Sequence, residues 1–331
     1  MVYLAMRTGA TLAHLGWYAV GVSAGIGQVQ PVAPVAPAGL RELGEDAWRY
    51  LERAHQDRVD TVTRDHLSRR SRGVEHPVED FLFRYYAHRP GRLRRWHPGA
   101  GAALVGGRER AGWSAYRYDG RIAYVDVVAF LATRAPLLRS TRDLLSATAG
   151  RPAQLGCFGM HEWAMVYRHL GQDSQPAVRH PAWPLRLGAQ GTDAVVESHA
   201  LRCTHFDAYR FFTPAAEPLN SVAPRADSRT DLEQPGCLHA TMDVYKLAYR
   251  LGPVVPSALV MDCFDLAREV REVDMRASPY DLRALGYPPI PVETPTGKAQ
   301  YVAAQRRFAE RARPLRQRLI EVCDRLLATA G

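Results

Sequence analysis

Lysine is nearly missing from this chain: only Lys246 and Lys298 stand among 43 basic residues, so arginine carries the formal charge of +9. Codon bias in a GC-rich genome accounts for part of that imbalance, and what is left is a mild preference for anionic partners, nucleic acid included. Cysteine is scarce too. Five cysteines with no CxxC pair argue against a disulfide framework and against a cysteine-based zinc or iron–sulfur site, and a reducing compartment, the cytoplasm, is expected. A long apolar run is also lacking. The stretch LAHLGWYAVGVSAGIG is broken by His14 and by glycines; it reads as a poor signal peptide or a cytosolic extension, and it is shorter than the roughly 20 residues a membrane span needs. No membrane partner is expected. Internal repeats are absent, as are GxSxG, a P-loop and a GxGxxG after a strand, which removes the common hydrolase and nucleotide-binding fingerprints.

What is present suits a globular protein: 331 residues, 47% of them hydrophobic, can bury a large core. Residues 28–39, QVQPVAPVAPAG, form an extended Pro/Ala linker that closes a flexible N-terminal extension over 1–39. The rest, 40–331, is expected to be a single, mainly α domain with long loops and one short β-hairpin.

From Glu45 the spacing of Trp48, Leu51, Ala54, Val59, Val62 and Leu67 predicts an amphipathic helix. Pro77 is placed to open an aromatic helix through VEDFLFRYYAH. Asp119-Gly120 predicts a tight hairpin turn within 113–124. A helix from Asp126 to Ala149 should stop at Gly150. GCFGMHEWAMVYRHL turns helical with His161 and Glu162 in its first turn. Residues 171–194 read as loop, TDAVVESH is ambiguous, and Pro214–Pro235 is a long irregular connection. GCLHATMDVYKLAYRLG is a glycine-bounded helix with His239 and Asp243 on one face. In Asp262–Arg276, acids at 262, 265, 269 and 272 alternate with arginines at 268, 271 and 276, which reads as salt-bridge lacing on a solvated face. Ser278-Pro279-Tyr280-Asp281 has the pattern of a helix start, and Thr296–Ala328 is a long helix that Pro314 should kink or split.

The chemistry concentrates in HALRCTHFDAYRFFTP, His199–Pro214, where two histidines, a carboxylate, two arginines and four aromatics share sixteen positions. Two other segments add His161 with Glu162 and His239 with Asp243. Such pairs are commonly hydrogen-bonded supports between elements. Read as a metal site, the candidate ligands are His161, His199, His205, Asp207, His239 and Asp243, and a set of two histidines and one carboxylate suits non-haem iron or another divalent metal acting on a small-molecule substrate.

A metal-free alternative uses the carboxylates alone. Cleaving the bond between a sugar and a nucleobase develops oxocarbenium charge, which a buried carboxylate can stabilise while it activates water. Asp207 is the first candidate, with Glu162 and Asp243 in reserve; Phe206, Tyr209, Phe211, Trp163 and Tyr245 would form the base pocket. No acid lies between Asp80 and Glu109, and in that interval Arg84, Arg89, Arg92, Arg94, Arg95 and Trp96 have the arginine–aromatic composition that grips phosphate and stacks on bases. The bland reading tucks Trp96 into the core. Cys157, Cys203 and Cys237 show no spacing that marks a nucleophile.

Eight segments in order, HPVEDFLFRYY, RRWHPG, GCFGMHEWAMVYR, PLRLGAQGTDAVVESH, HFDAYRFFTP, EQPGCLHATMDVYKLAY, DMRASPYDL and VETPTGKAQY, together resemble a bacterial family usually labelled 3-methyladenine DNA glycosylase. The resemblance runs from about Glu45 to Leu327 and excludes Met1–Gly39. It implies repair of alkylated, damaged DNA by removal of a purine base, with no required cofactor. The chain departs from the well-understood glycosylase architectures, having neither a helix–hairpin–helix with a following Asp nor a four-cysteine cluster loop, so Asp207, Glu162 and Asp243 rest on the local reading. A non-catalytic nucleic-acid-binding protein is the third expectation.

Overall fold

The computed structural model describes residues 39–169, 180 and 182–329. All but the last residue of the extension and linker expected over 1–39, and residues 171–179 and 181 of the loop expected over 171–194, lie outside those residues. Among the described residues helix accounts for 57% and strand for 6%, which makes the fold mainly α, as its periodicity predicts.

The first strand, β1 (Arg41–Leu43), leads into α1 (Glu45–Ser71), then come the short helices α2 (Phe81–Tyr85) and α3 (Pro90–Leu93). Three strands follow, β2 (Ala102–Val105), β3 (Tyr116–Tyr118) and β4 (Ile122–Val125). The expected hairpin is β3–β4, antiparallel with Tyr118 opposite Ala123. Its turn closes on Asp119, whose Oδ1 accepts the N–H groups of Arg121 and Ile122 at 2.8 Å each. The hairpin is half of a four-stranded sheet, ordered β1-β2-β4-β3, in which β1 runs parallel to β2. Strands of three or four residues are too short to leave an alternating signal, which is why β1 and β2 go unread in the sequence.

Helix α1 buries only part of the stripe its apolar residues predict. Trp48, His55, Val59, Thr63 and His66 are buried, while Leu51 and Leu67 stay 42% and 44% exposed. Two histidines replace two leucines in the stripe because each finds a partner. The Leu93 carbonyl accepts from His55 Nε2 at 2.8 Å, and His66 Nδ1 lies 2.9 Å from Asp80 Oδ1. Trp48 Nε1 donates to the Val105 carbonyl at 2.9 Å, and its ring lies parallel to that of Trp96 with centroids 6.5 Å apart. Trp96 is therefore core, and it offers no face to a base.

Helix α4 (Val127–Ala149) begins where expected, with Asp126 accepting the Ala129 N–H. After it come α5 (Met160–Ala164), α6 (Gly188–Glu197), α7 (Phe206–Tyr209) and α8 (Arg229–Leu232). α6 resolves the TDAVVESH ambiguity as helix, and it overturns the loop reading for 188–194. α5 holds only the first turn of the helix expected from GCFGMHEWAMVYRHL, because it starts from Gly159 in the left-handed region, φ 69°, and gives way to turns after Ala164.

The interior is built on α9 (Leu238–Arg250) and α10 (Ser257–Arg276), with α11 (Pro295–Ala328) packed on both and on α4. Both central helices are buried on nearly all sides, α9 at ten of its thirteen positions, so polar residues on them must be satisfied internally. The reading of 262–276 as a salt-laced wet face holds for its acids at 262, 265, 269 and 272, which all make surface pairs, and fails at Arg271, which turns inward with Asp274. Arg271 and Asp274 are 1% and 0% exposed, whereas Asp262 and Glu269 do make the expected surface pairs with Arg58, Arg318 and Arg311. Ser278–Asp281 starts no helix, since Tyr280 bridges to Leu185 instead. Pro314 neither splits nor ends α11. It sits on the exposed face, where water can take the carbonyl its missing N–H leaves free, while Ala312, Arg316 and Leu319 hold the buried side in register.

Candidate functional site

A cleft of about 740 Å³ opens where the turn before α2 meets α7 and α9, and Phe81, Arg84, Tyr85, Asp207, Phe211 and Lys246 line it. Its first wall depends on one carboxylate. Asp80 Oδ2 accepts the His76 N–H at 2.8 Å, and Oδ1 accepts from Arg69 Nη2 at 2.8 Å and contacts His66. That closure ties 76–80 into a turn, so the helix begins at Phe81 rather than at Pro77 as expected. Phe81 and Tyr85, four apart on α2, consequently present parallel rings 4.9 Å apart.

Burial pushes the Asp80 carboxyl up, but hydrogen bonds from Arg69, His66 and the His76 amide outweigh it and hold the group below its ordinary value. A depressed carboxylate adds stability above its unfolded value of roughly 3.9 and loses it as pH falls through the folded value. Unfolding free energy measured by urea titration should therefore fall as pH drops below about 4, and Asp80→Asn should be less stable at neutral pH with a shallower acid decline. An unchanged acid slope in the variant would contradict this.

Asp207 comes from the first turn of α7. Its Oδ2 is 2.7 Å from Lys246 Nζ on α9, and its Oδ1 is 3.3 Å from Arg210 Nε one turn on. Burial raises its proton affinity, Lys246 lowers it by more, and the net effect is a carboxylate below its usual range. Asp207 is thus anionic at neutral pH, in a cleft walled by aromatic rings and rimmed by arginine and lysine.

Lys246 also lies 3.6 Å from Asp243 Oδ2, and there the cleft meets a buried polar cluster. Asp243 receives Arg229 Nη2 at 2.8 Å and His205 Nε2 at 3.3 Å. Glu233 takes Arg229 Nε at 2.5 Å and lies 3.6 Å from His205 Nε2. Burial opposes charge on His205, yet Glu233 and Asp243 raise its proton affinity overall. One turn before Asp243 on α9 is His239, whose ring stacks on His205 at 5.3 Å and meets His161 edge to face at 4.3 Å. His161 Nε2 is 3.0 Å from Asp274 Oδ1 on α10. One ligand atom each from His161, His239 and Asp274 can be chosen so that all three lie within 4.8 Å of one another. Arg271 Nη1 braces this end, donating to Glu162 Oε1 at 2.8 Å and Asp274 Oδ2 at 2.7 Å.

The sequence candidates divide accordingly. Asp207 and Phe211 meet in the cleft with Arg84. Glu162 and Asp243 are interior and ion-paired, so neither is a reserve catalyst facing that cleft. Trp163 is fully buried with Nε1 donating to the Ala277 carbonyl at 2.9 Å, and Tyr245 is fully buried with its hydroxyl 2.8 Å from His88 Nδ1; both are core. Phe206 and Tyr209 do not line the cleft, and Tyr209 borders a separate surface hollow near Glu217 and Asn220.

Among the candidate ligands, His161 and His239 come together, and His205 joins them only by stacking. His199 leaves the set, its Nδ1 being 2.6 Å from the Val195 carbonyl at the end of α6. Asp207 and Asp243 are engaged by Lys246, Arg229 and His205 instead. The basic stretch is not one strip: Arg94 pairs with Asp60, Arg84 with Glu75, and Arg95 lies over the Trp113 ring, while Arg89 and Arg92 flank the one-turn α3. Cys157, Cys203 and Cys237 border one small cavity, but burial pushes all three thiols up, Cys203 to about 12, which removes them as nucleophiles.

Asp274, Arg271, Lys246, Arg229 and Glu233 were not among the sequence candidates. Asp274 had one available signal, since it opens the DMRASPYDL segment, but its helix reads as salt-laced surface. No protein-family model matches the chain, and no curated protein or solved structure matches it either.

Proposed function

We propose that the chain is a DNA N-glycosylase that takes an alkylated purine into the Asp207 cleft, the activity implied by the family it resembles. The observation that carries this reading is an ionised carboxylate inside a cleft whose walls are aromatic and whose rim is cationic. Tyr85 and Phe211 offer faces to a planar base, most strongly to one made cationic by alkylation, and Phe81 backs Tyr85. Arg84 and Arg210, the more exposed cations of the cleft, supply charge for the phosphates on either side. Asp207 would stabilise the sugar cation as the C1′–N bond breaks and accept a proton from the attacking water, while the base leaves with the bonding electron pair as a neutral molecule. Lys246 keeps Asp207 ionised and in place. A role in DNA repair would put the protein in the cytoplasm, and among the described residues no helix is long and apolar enough to cross a membrane.

The test is release of free base from methylated duplex DNA, followed by chromatography, with the duplex affinity measured in parallel. Wild-type protein should release methylated purine, and Asp207→Asn should lower the rate by about 100-fold or more with little change in duplex affinity. Absence of base release from wild-type protein would end this reading, as would an Asp207→Asn variant that keeps the full rate.

A further inference from the structure

At the inner end of the buried cluster behind the cleft, two carboxylates, Glu162 and Asp274, share the single guanidinium of Arg271, and an uncompensated charge inside a protein is costly. His161 Nε2 and Asp274 Oδ1 approach to 3.0 Å, yet neither atom makes a hydrogen bond, although the two side chains are 6% and 0% exposed. Two buried polar atoms this close, aimed past rather than at each other, are expected of adjacent ligands to a common third atom. Ligands bonded at about 2.1 Å and set at right angles lie about 3.0 Å apart.

We propose that His161, His239 and Asp274 bind one divalent first-row transition-metal ion, with iron(II) the best-suited member of that class. Two imidazoles and one carboxylate favour such an ion over magnesium or calcium, which prefer all-oxygen shells, and the donor set is that of a facial triad with positions left open. The three donors come from α5, α9 and α10, elements locked by core packing. Arg271 holds Asp274 Oδ2 and leaves Oδ1 to the metal, the outer support that ligating carboxylates ordinarily have. The open positions face a cavity of about 20 Å³ bordered by His161, His239, Met160, Cys157 and Tyr301, which has room for a water molecule as a further ligand. A divalent ion also offsets the carboxylate charge that Arg271 alone leaves uncompensated. A direct His161–Asp274 contact with no ion between them is the rival outcome.

The experiment needs no substrate, so its result is independent of the glycosylase reading. Full-length protein purified without chelator is analysed for metals, then stripped with a chelator and titrated with cobalt(II) chloride, with visible absorption and melting temperature recorded. The expected result is about one transition-metal ion per chain, ligand-field bands on cobalt addition and a rise in melting temperature. His161→Gln and His239→Gln should lose all three responses, while His199→Gln keeps them. Wild-type protein that is metal-free as purified and unresponsive to cobalt in both absorption and melting overturns the proposal. A cobalt response undiminished in His161→Gln and His239→Gln overturns it too. The wild-type titration decides the matter even if a variant fails to fold.

Discussion

Arg271→Met is expected to lower the unfolding free energy by about 3–5 kcal/mol, the usual effect of removing one partner from a buried ion pair. The guanidinium is 1% exposed and serves two carboxylates that are themselves 2% and 0% exposed, Glu162 at 2.8 Å and Asp274 at 2.7 Å. It also lies over the Phe81 ring at 3.9 Å, so it couples the aromatic wall of the cleft to the cluster behind it. Methionine restores much of the volume and none of the charge, and Glu162 and Asp274 would then face the interior unpaired. Adding Glu162→Gln to Arg271→Met should return part of the loss, because it removes one of the two stranded charges, and that non-additivity separates electrostatics from packing. Urea denaturation of the two variants and the wild type measures both effects. A loss under about 1 kcal/mol for Arg271→Met would mean that the carboxylates are compensated in some other way.

Trp48→Ala is expected to cost a similar amount, about 3–5 kcal/mol, by opening a cavity between α1 and the sheet. Trp48 is fully buried. It packs against Trp96, donates to the Val105 carbonyl, and has Arg49 and Arg110 over its ring at 4.3 and 5.7 Å. The substitution deletes the largest side chain between these elements and leaves a half-buried carbonyl without its donor, so relaxation can recover little. Urea denaturation checks this as well, and a loss below about 1 kcal/mol would show that the Trp48–Trp96 stack is not the joint between α1 and the sheet. The same pair explains why RRWHPG is a poor nucleic-acid grip: its tryptophan is spent on the core, and its neighbouring arginines point to Asp60 and Trp113.

The sequence by itself determined the class and most of the long helices. α1, α4, α9 and α11 carry their own signals, in a 3.6-residue periodicity, in Asp126 and Gly150 at the two ends of α4, and in glycines on either side of α9. The turn at Asp119-Gly120 was equally local. The histidine-bearing segments stood out because such residues seldom gather in ordinary core, and His161, His205 and His239 do converge.

Tertiary structure alone decided what they converge on. Acids and arginines alternate along α10 at intervals that fit a solvated face, and only packing against α9 shows that Arg271 and Asp274 lie on the inward stripe while Asp262 and Glu269 lie on the outward one. HALRCTHFDAYRFFTP, one dense patch in the sequence, is taken apart by a single helical turn. His199 bonds back to the Val195 carbonyl, His205 turns inward to Asp243 and His239, and Asp207, two residues on, reaches the cleft and Lys246. Neighbours in a one-turn helix point in different directions, and what each meets is set by elements that lie far away in the chain.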